Sequence, residues 1–316
     1  MSSGGEFAII SRYFSRPAPS AILGGGDDCA LIAHAAGEVL AVTTDSLVEG
    51  RHFAFGAEAR GVGYKSLAVN ISDLAAMGAR PRWAVLALTL PAVEPNWLDG
   101  FASGFYACAS EFSVDLIGGN LSAGALNITV TALGTVPAHE AMRRDAAHVG
   151  DDIWISGQPG AAALALTERR GELQLPERWR AVCAERLDRP YPRVALGLRL
   201  RALAHAAIDV SDGVLADLGH LLTRSGVGAL LDEQGLSCWA ASWCEAPEIL
   251  RRCVLSGGDD YELLFTAAPD RRDAITALGA ELATPLCRCG VITAAPGVSL
   301  SGGAYSLRPG HDHFAA

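Results

Sequence analysis

Alternating strand-like and helix-like segments restrict the fold of this 316-residue chain more than any other feature of its sequence. In the first half, apolar runs at 38–45, 83–90 and 126–136 are typical of buried strands. Between them, apolar residues recur at helical spacing over 64–77 and 95–112. This alternation predicts the α/β class.

The same alternation restarts after Pro137. Strands are predicted in "DIWISG", "AAIDV" and "YELLFTA", and helices in "GAAALALTERRG", "PRVALGLRLRAL" and "GVLADLGHLLTRSG". A chain of this length accommodates two domains of about 150 residues. We therefore predict an N-terminal α/β domain at 1–137 and a C-terminal α/β domain at 138–316.

Composition excludes several function classes. Half of the residues are hydrophobic and 19% are charged, which is typical of a folded protein with a sizeable core. No apolar run reaches the roughly 18 residues that span a bilayer, and the N-terminus does not resemble a signal peptide, so we expect a cytoplasmic protein that does not bind membranes. The net charge of −10 argues against nucleic-acid binding.

The basic residues exclude a P-loop, and the cysteine spacing argues against a zinc or redox site built from cysteines. The chain has one lysine, Lys65, and lacks any GxxxxGK[ST] string, which excludes a P-loop. Its eight cysteines include no CxxC pair, which is typical of reduced, mostly buried cysteines in a cytosolic enzyme.

Aspartates cluster in short strings that also contain glycines or hydroxyl side chains. These strings are "GGGDD" (24–28), "TTDS" (43–46), "NISDLAAMG" (70–78), "DVSDG" (209–213) and "SGGDDYELLF" (256–265). Each acid alone has a structural alternative: Asp212 suits a helix N-cap, and Asp27 and Asp28 suit an ordinary turn. Asp73 is different, because it lies on an otherwise apolar helix and needs a partner there.

Magnesium binding explains this combination of residues. Mg²⁺ takes oxygen ligands, usually one or two carboxylates together with waters and substrate phosphates. Carboxylates then hold the cations, the cations hold the phosphates, and glycine lets the backbone approach closely. The sequence therefore predicts a phosphate-binding site that uses magnesium.

Taken together, the strings resemble the thiamine-monophosphate kinase family of the PurM-like superfamily. They follow the family's order along nearly the whole chain: "GDDCALI", "TTDSLVEGRHF", "YKSLAVNISDLAAMGA", "LIGGN", "RRDAAHVGDDIWISG", "AIDVSDGVLADLGH", "LSGGDDYELLF" and "GHDHF". The resemblance implies a PurM-like fold, with an N-terminal ATP- and Mg-binding domain that dimerises through its strands and a C-terminal PurM-like domain. It also implies ATP-dependent phosphorylation of thiamine monophosphate to thiamine diphosphate by a homodimer that uses several Mg²⁺ ions.

The resemblance assigns roles residue by residue. It implies metal ligation by Asp28, Thr43, Thr44, Asp45, Asp73, Asp209 and Asp212, among which Asp45 and Asp212 are the expected catalytic residues. It implies nucleotide contacts at Gly119, Arg144 and Ser211, with Tyr106 a weaker candidate, and substrate contacts at His52, Asp259 and His311. Since donor and acceptor are both phosphates, the main barrier is electrostatic and no strong general base is expected.

The chain departs from the family pattern at three positions. Asn120 stands where the family has a metal-binding aspartate, so it is a candidate metal and nucleotide ligand that carries no charge. Asp259 replaces a glutamate, and His311 replaces an aromatic residue. The first departure puts metal affinity in question, and the other two put substrate fit in question.

Alternatives remain open at the level of the sequence. His52 suits a solvated loop, and Arg144 suits an ordinary surface charge. The whole chain also suits a non-catalytic nucleotide- or metal-binding homologue that lost a ligand at Asn120, or a PurM-like kinase or ligase with another small acceptor.

Overall fold

The computed structural model describes residues 6–25, 29–237, 239 and 246–301. Asp28 and His311 lie outside these residues. The chain divides into two compact units, Met1–Leu74 with Ala79–His139, and Ala75–Gly78 with Glu140–Ala316. Both are mixed helix and sheet, which confirms the α/β class. Among the described helices, none combines the length and the hydropathy needed to cross a membrane.

The first unit contains a four-stranded sheet in the order β1–β4–β2–β3. β1 and β2 run antiparallel to β4, whereas β2 and β3 are parallel. The strands are β1 (Glu38–Val48), β2 (Arg80–Leu90), β3 (Asp115–Ala123) and β4 (Asn127–Pro137). Three of them confirm predicted strands, and β3 is absent from the prediction.

The helices of this unit are α1 (Glu6–Ile9), which continues into a π-helical stretch (Ile10–Phe14), α2 (Ala59–Ala76) and α3 (Pro95–Phe112). The two long helices confirm the predicted ones, and α3 begins at a proline as expected. They approach each other through glycine: a Cβ on Gly104 would lie 1.8 Å from the carbonyl oxygen of Arg60. Backbone-to-backbone packing at this point therefore requires glycine.

One face of this sheet is exposed. Val42 is 60% exposed on β1, and Asn120 is exposed on β3. Hydroxyl pairs line the face between them, with Thr44 bonded to Thr131 at 3.1 Å. We call this surface the open face; it comprises Leu40, Val42, Thr44, Ser46, Ala87, Asn120, Thr129, Thr131 and Leu133.

The second unit contains a six-stranded sheet in the order β10–β7–β9–β5–β8–β6. All neighbours are antiparallel except β10 and β7. The strands are β5 (Asp152–Ser156), β6 (Ala206–Val210), β7 (Gly228–Leu231), β8 (Glu262–Ala267), β9 (Leu286–Thr293) and β10 (Gly297–Leu300).

Helices cover both faces of this second sheet. Ile153 and Ile208 point into one core cluster, whereas Trp154 and Ala207 point into the other, as the two-residue period of strands requires. The helices are α4 (Ala161–Arg169), α5 (Glu177–Asp188), α6 (Val194–Leu200), α7 (Val214–Ser225), α8 (Glu233–Leu236), α9 (Pro247–Ser256) and α10 (Arg272–Glu281), with a 3₁₀ turn at Pro269–Arg271. The predicted elements of this half correspond to β5, β6, β8, α4, α6 and α7.

Candidate active site

In the first unit, a helix and the edge strand bring two predicted metal ligands together. The Thr43 hydroxyl on β1 donates to a carboxylate oxygen of Asp73 on α2 at 2.5 Å. Asn70 lies one turn before Asp73 and is fully buried, and its Oδ1 has no hydrogen-bond partner in the described part of the chain. Each of these side chains has an oxygen that can serve as a ligand beside the strand, and oxygen ligands are what magnesium prefers.

Asp45 and Thr44 point to opposite faces of β1. Asp45 lies two residues after Thr43 and therefore on the same face of the strand, towards α2. Thr44 lies on the open face, where its hydroxyl donates to the carbonyl oxygen of Val130 at 3.1 Å. The prediction that the strand ends at Asp45 is wrong, because β1 continues to Val48.

Gly119 and Asn120 lie on β3, at the opposite edge of the sheet from β1. A Cβ on Gly119 would lie 2.0 Å from the carbonyl oxygen of Leu86, so close strand pairing alone requires this glycine. Three strand spacings of about 4.8 Å separate β1 from β3, roughly 14 Å in all. Within one chain, the structure therefore does not bring Asn120 together with Thr43, Thr44 or Asp45.

In the second unit, a loop between β6 and α7 carries Ser211 and Asp212, two and three residues after the buried Asp209. One carboxylate oxygen of Asp217 accepts the backbone N–H groups of Ser211, Asp212 and Gly213, at 3.0, 3.0 and 3.1 Å. Three convergent donors on one oxygen fix the loop's backbone. Asp217 thus positions two predicted ligands.

The sequence interpretation of this loop missed Asp217. Asp212 suited a helix N-cap, but the N-cap residue of α7 is Gly213, without a side-chain cap. Asp217 is 3% exposed, and burial raises its pKa to about 7, against the opposing effect of its backbone donors. The sequence does contain a signal for Asp217, since it is an acid on the apolar face of a predicted helix.

The glycine-rich string "SGGDDYE" packs directly against this loop. Asp259 and Tyr261 donate backbone N–H groups to the carbonyl oxygens of Ser211 and Val210, both at 2.8 Å. Asp259 has φ +67° and Tyr261 φ +50°, a left-handed conformation that costs such residues on the order of 1–3 kcal/mol. The Tyr261 hydroxyl also donates to Asp259 at 3.2 Å. Hydrogen bonds therefore hold Asp259 in a strained, fixed position next to Ser211.

Two other acids of this string have structural partners. Asp260 is buried and accepts the N–H of Gly160 at 2.7 Å, and burial raises its pKa well above the usual range. Glu262 is paired with Arg193 through two 2.6 Å hydrogen bonds. Burial alone would raise the pKa of Glu262, but Arg193 and Ser156 outweigh it and lower the pKa.

The structure places three remaining candidates as follows. His52 is half-buried, and its Nδ1 accepts the N–H of Val48 at 3.0 Å. The Tyr106 hydroxyl donates to the carbonyl oxygen of Phe14 at 2.9 Å, and burial raises its pKa to about 12. Arg144 is exposed, whereas its neighbour Arg143 pairs with Asp145. His52 is thus more ordered than a solvated loop residue. Both arginines are exposed, and Arg143 has Asp145 as its ion-pair partner.

Family models match most of the chain. The AIR synthase related protein N-terminal domain matches residues 26–136, and the corresponding C-terminal domain matches residues 148–303. Thiamine-monophosphate kinase of Salmonella typhimurium is 41% identical over 295 residues, which cover 92% of this chain and 91% of the relative.

Solved structures agree with this match. Thiamine-monophosphate kinase from Stenotrophomonas maltophilia has 48% identity and a TM-score of 0.84, with 94% of this chain and 95% of that chain covered. AaThiL complexed with AMPPCP and TMP has 28% identity and a TM-score of 0.77, with 89% of each chain covered. By its sequence and by the fold of both its halves, the chain belongs to the thiamine-monophosphate kinase family of the AIR synthase related proteins.

Proposed function

We propose that this protein transfers the γ-phosphoryl group of ATP to the phosphate of thiamine monophosphate, forming thiamine diphosphate. The observation that carries the proposal is the match to thiamine-monophosphate kinases over 92% of the chain. The complex of AaThiL with AMPPCP and TMP supports the same pair of substrates. A cytoplasmic location stays a prediction from the sequence.

The donor set of both units suits magnesium. In the first unit the ligands would be Thr43, Asp45 and Asp73; in the second they would be Asp209 and Asp212. All are oxygen donors, and the orphaned oxygen of Asn70 adds an acceptor beside Asp73. When bound, Mg²⁺ supplies neutralisation of the charge on the two phosphates.

The chain's own residues would bind and orient the two substrates. Asp217 holds the backbone of Ser211 and Asp212, so these ligands are positioned before substrate arrives. Arg144 offers a planar guanidinium fork suited to phosphate oxygens. Asp259, fixed by Tyr261 and Ser211, would contact the thiamine part. Such positioning accounts for most of the catalysis in phosphoryl transfer, which leaves little covalent chemistry to the protein.

The open face supports a homodimer. Val42 and Leu40 expose apolar side chains next to a field of hydroxyls, a surface unusual for a free sheet face. Asn120 and Thr44 lie on this face in strands roughly 14 Å apart, so a second copy packed face to face is the arrangement that brings Asn120 near the other chain's Thr44.

Direct product detection tests the proposed function. The full chain is incubated with ATP, Mg²⁺ and thiamine monophosphate, and products are separated chromatographically. We expect thiamine diphosphate and ADP in equal amounts, and neither in excess EDTA. ATP binding without any thiamine diphosphate would instead indicate the non-catalytic homologue, and ATP turnover with another small acceptor would indicate a different kinase of this fold.

A further inference from the structure

Two histidines and an aspartate converge at one end of the second unit's sheet, outside every residue assigned above. His148 and Asp151 lie in the turn before β5, and His205 directly precedes β6. One ligand atom from each of the three residues lies within 4.8 Å of the other two. The sequence gives no local sign of this cluster, since 57 positions separate the two histidines.

The polar atoms of the cluster crowd around a single ring nitrogen. Nδ1 of His205 lies 3.0 Å from both carboxylate oxygens of Asp151 and 3.1 Å from Nδ1 of His148. A ring nitrogen has either one proton or one lone pair. If Nδ1 of His205 has the proton, Asp151 and an accepting Nδ1 of His148 must share it; if it accepts from His148, its lone pair faces the carboxylate.

A single metal cation satisfies all three groups at once, because each then contributes a lone pair. Zn²⁺ binds imidazole nitrogen and carboxylate oxygen at about 2.0–2.2 Å, so neighbouring ligand atoms of a tetrahedral site lie roughly 3.3 Å apart. The observed separations of 3.0 and 3.1 Å come within a few tenths of an ångström of that value. Two of the three separations therefore match a tetrahedral metal site, and all three ligand atoms lie within 4.8 Å of one another.

The surrounding hydrogen bonds already orient the ligands. Oδ2 of Asp151 accepts the backbone N–H of His148 at 2.9 Å, and the N–H of Asp151 donates to the carbonyl oxygen of His148 at 3.0 Å. Oδ1 stays available to a cation, because a carboxylate has about four lone-pair positions. Asp151 is 3% exposed and His148 is exposed, so a buried carboxylate lies beside a solvent-accessible nitrogen. Water is thus free to complete a fourth position.

We propose that His148, Asp151 and His205 form a binding site for a divalent transition metal of the Zn²⁺ type. Imidazole nitrogens favour such ions over magnesium. Asp209 lies four residues after His205 on β6, roughly 13 Å away at about 3.3 Å per residue, and Asp212 lies beyond the far end of that strand. The site is therefore separate from the acids proposed for magnesium in the second unit. A bound ion would tie the segment that carries Arg144 to the beginning of β6.

Zinc binding by the untagged full chain tests this proposal. Protein is dialysed against Zn²⁺ in saturating Mg²⁺, unbound metal is removed, and bound zinc is measured by mass spectrometry. We expect one zinc per chain, and at least tenfold weaker binding in His148→Ala and His205→Ala. His220→Ala, an exposed histidine on α7, and Asp212→Ala should bind like the parent.

Thermal unfolding supplies the second measurement. Zinc should raise the Tm of the parent and of His220→Ala, but not that of His148→Ala, which replaces an exposed side chain. Zinc retained by the double variant His148→Ala/His205→Ala, or no zinc bound by the parent chain, would contradict the proposal. Neither result depends on whether the protein phosphorylates thiamine monophosphate.

Discussion

Asp217 accepts the backbone N–H of Asp212 at 3.0 Å, so a buried acid fixes the backbone of a second, half-buried acid. The same oxygen also holds Ser211 and Gly213. A loop held in this way would need little reorganisation to bind the nucleotide and metal that we propose for it. This relationship makes Asp217 a positioning residue rather than a ligand.

Replacing Asp217 with Asn tests that role. The amide keeps the shape of the side chain and an accepting oxygen but cannot ionise, whereas the parent carboxyl, with a pKa of about 7, is charged in part of the molecules at neutral pH. Hydrogen bonds to the charged form contribute on the order of 1.5–3 kcal/mol each. We expect about tenfold lower kcat/KM for ATP and a higher Mg²⁺ concentration at half-maximal rate. Asp273→Asn, an exposed acid on α10, is the matched control. A lower Tm with unchanged Mg²⁺ dependence would reduce Asp217 to a purely structural residue.

The buried pair of Glu262 and Arg193 predicts a pH-dependent stability. The folded-state pKa of Glu262 lies below its unfolded value, so its contribution is fully present above the unfolded pKa and is lost as pH falls through the folded pKa. Glu262→Gln leaves Arg193 buried and uncompensated, which should lower the free energy of unfolding by about 3–5 kcal/mol at neutral pH.

Urea unfolding at several pH values measures this effect. The difference between parent and Glu262→Gln should shrink as pH falls below the unfolded pKa of a glutamate, about 4.3. Glu281→Gln is the control, since its pair with Arg199 is exposed and should contribute little. A difference that stays constant across the acid range would show that Glu262 does not titrate as described.

Asn120 predicts an altered need for magnesium. Its amide oxygen brings no full charge to a hard cation. The magnesium ions that would hold ATP therefore have one carboxylate ligand fewer than in family members with aspartate at this position. Asn120→Asp should lower the Mg²⁺ concentration for half-maximal rate and maintain or raise the maximal rate. Superimposable magnesium titrations of the two forms would show that position 120 is not an effective metal ligand.

The open face predicts the oligomeric state. Val42→Asp places a charge at the centre of the apolar part of this face, so we expect a dimer for the parent and a monomer for the variant in light scattering. Val93→Asp is the control, because Val93 is 50% exposed in the same unit but outside the open face. A monomeric parent, or a dimer that tolerates aspartate at position 42, would count against this interface.

Local pattern was sufficient to predict much of the fold. The helical spacing and the opening proline of α3 predicted Pro95–Phe112 with its observed bounds. β3 was missed because its glycines in "LIGGN" are typical of a binding turn. In the structure the same Gly119 lies within a strand, where the approach of Leu86 excludes a side chain.

The candidate site was predictable only where its residues are adjacent in the sequence. "TTDS" and "DVSDG" predict ligands as strings, and that assignment stays a prediction. The contact of Thr43 with Asp73 joins a strand to a helix 30 positions away, so neither string alone indicates it. The strings do not show which face of the sheet each side chain takes. Thr44 and Asp45 are neighbours in the sequence but lie on opposite faces of β1. The cluster of His148 with His205 depends on tertiary contact alone, so no periodicity indicated it.

Acceptor choice is the most direct test of the proposed activity. With ATP and Mg²⁺ fixed, initial rates of ADP release are measured with thiamine monophosphate and with free thiamine. A site that joins two phosphates through metal predicts rapid turnover of thiamine monophosphate, at least a hundredfold above free thiamine, since about 2.7 kcal/mol of transition-state stabilisation is lost with the acceptor phosphate. Equal rates with the two acceptors would show a kinase that phosphorylates hydroxyl groups and would contradict the account.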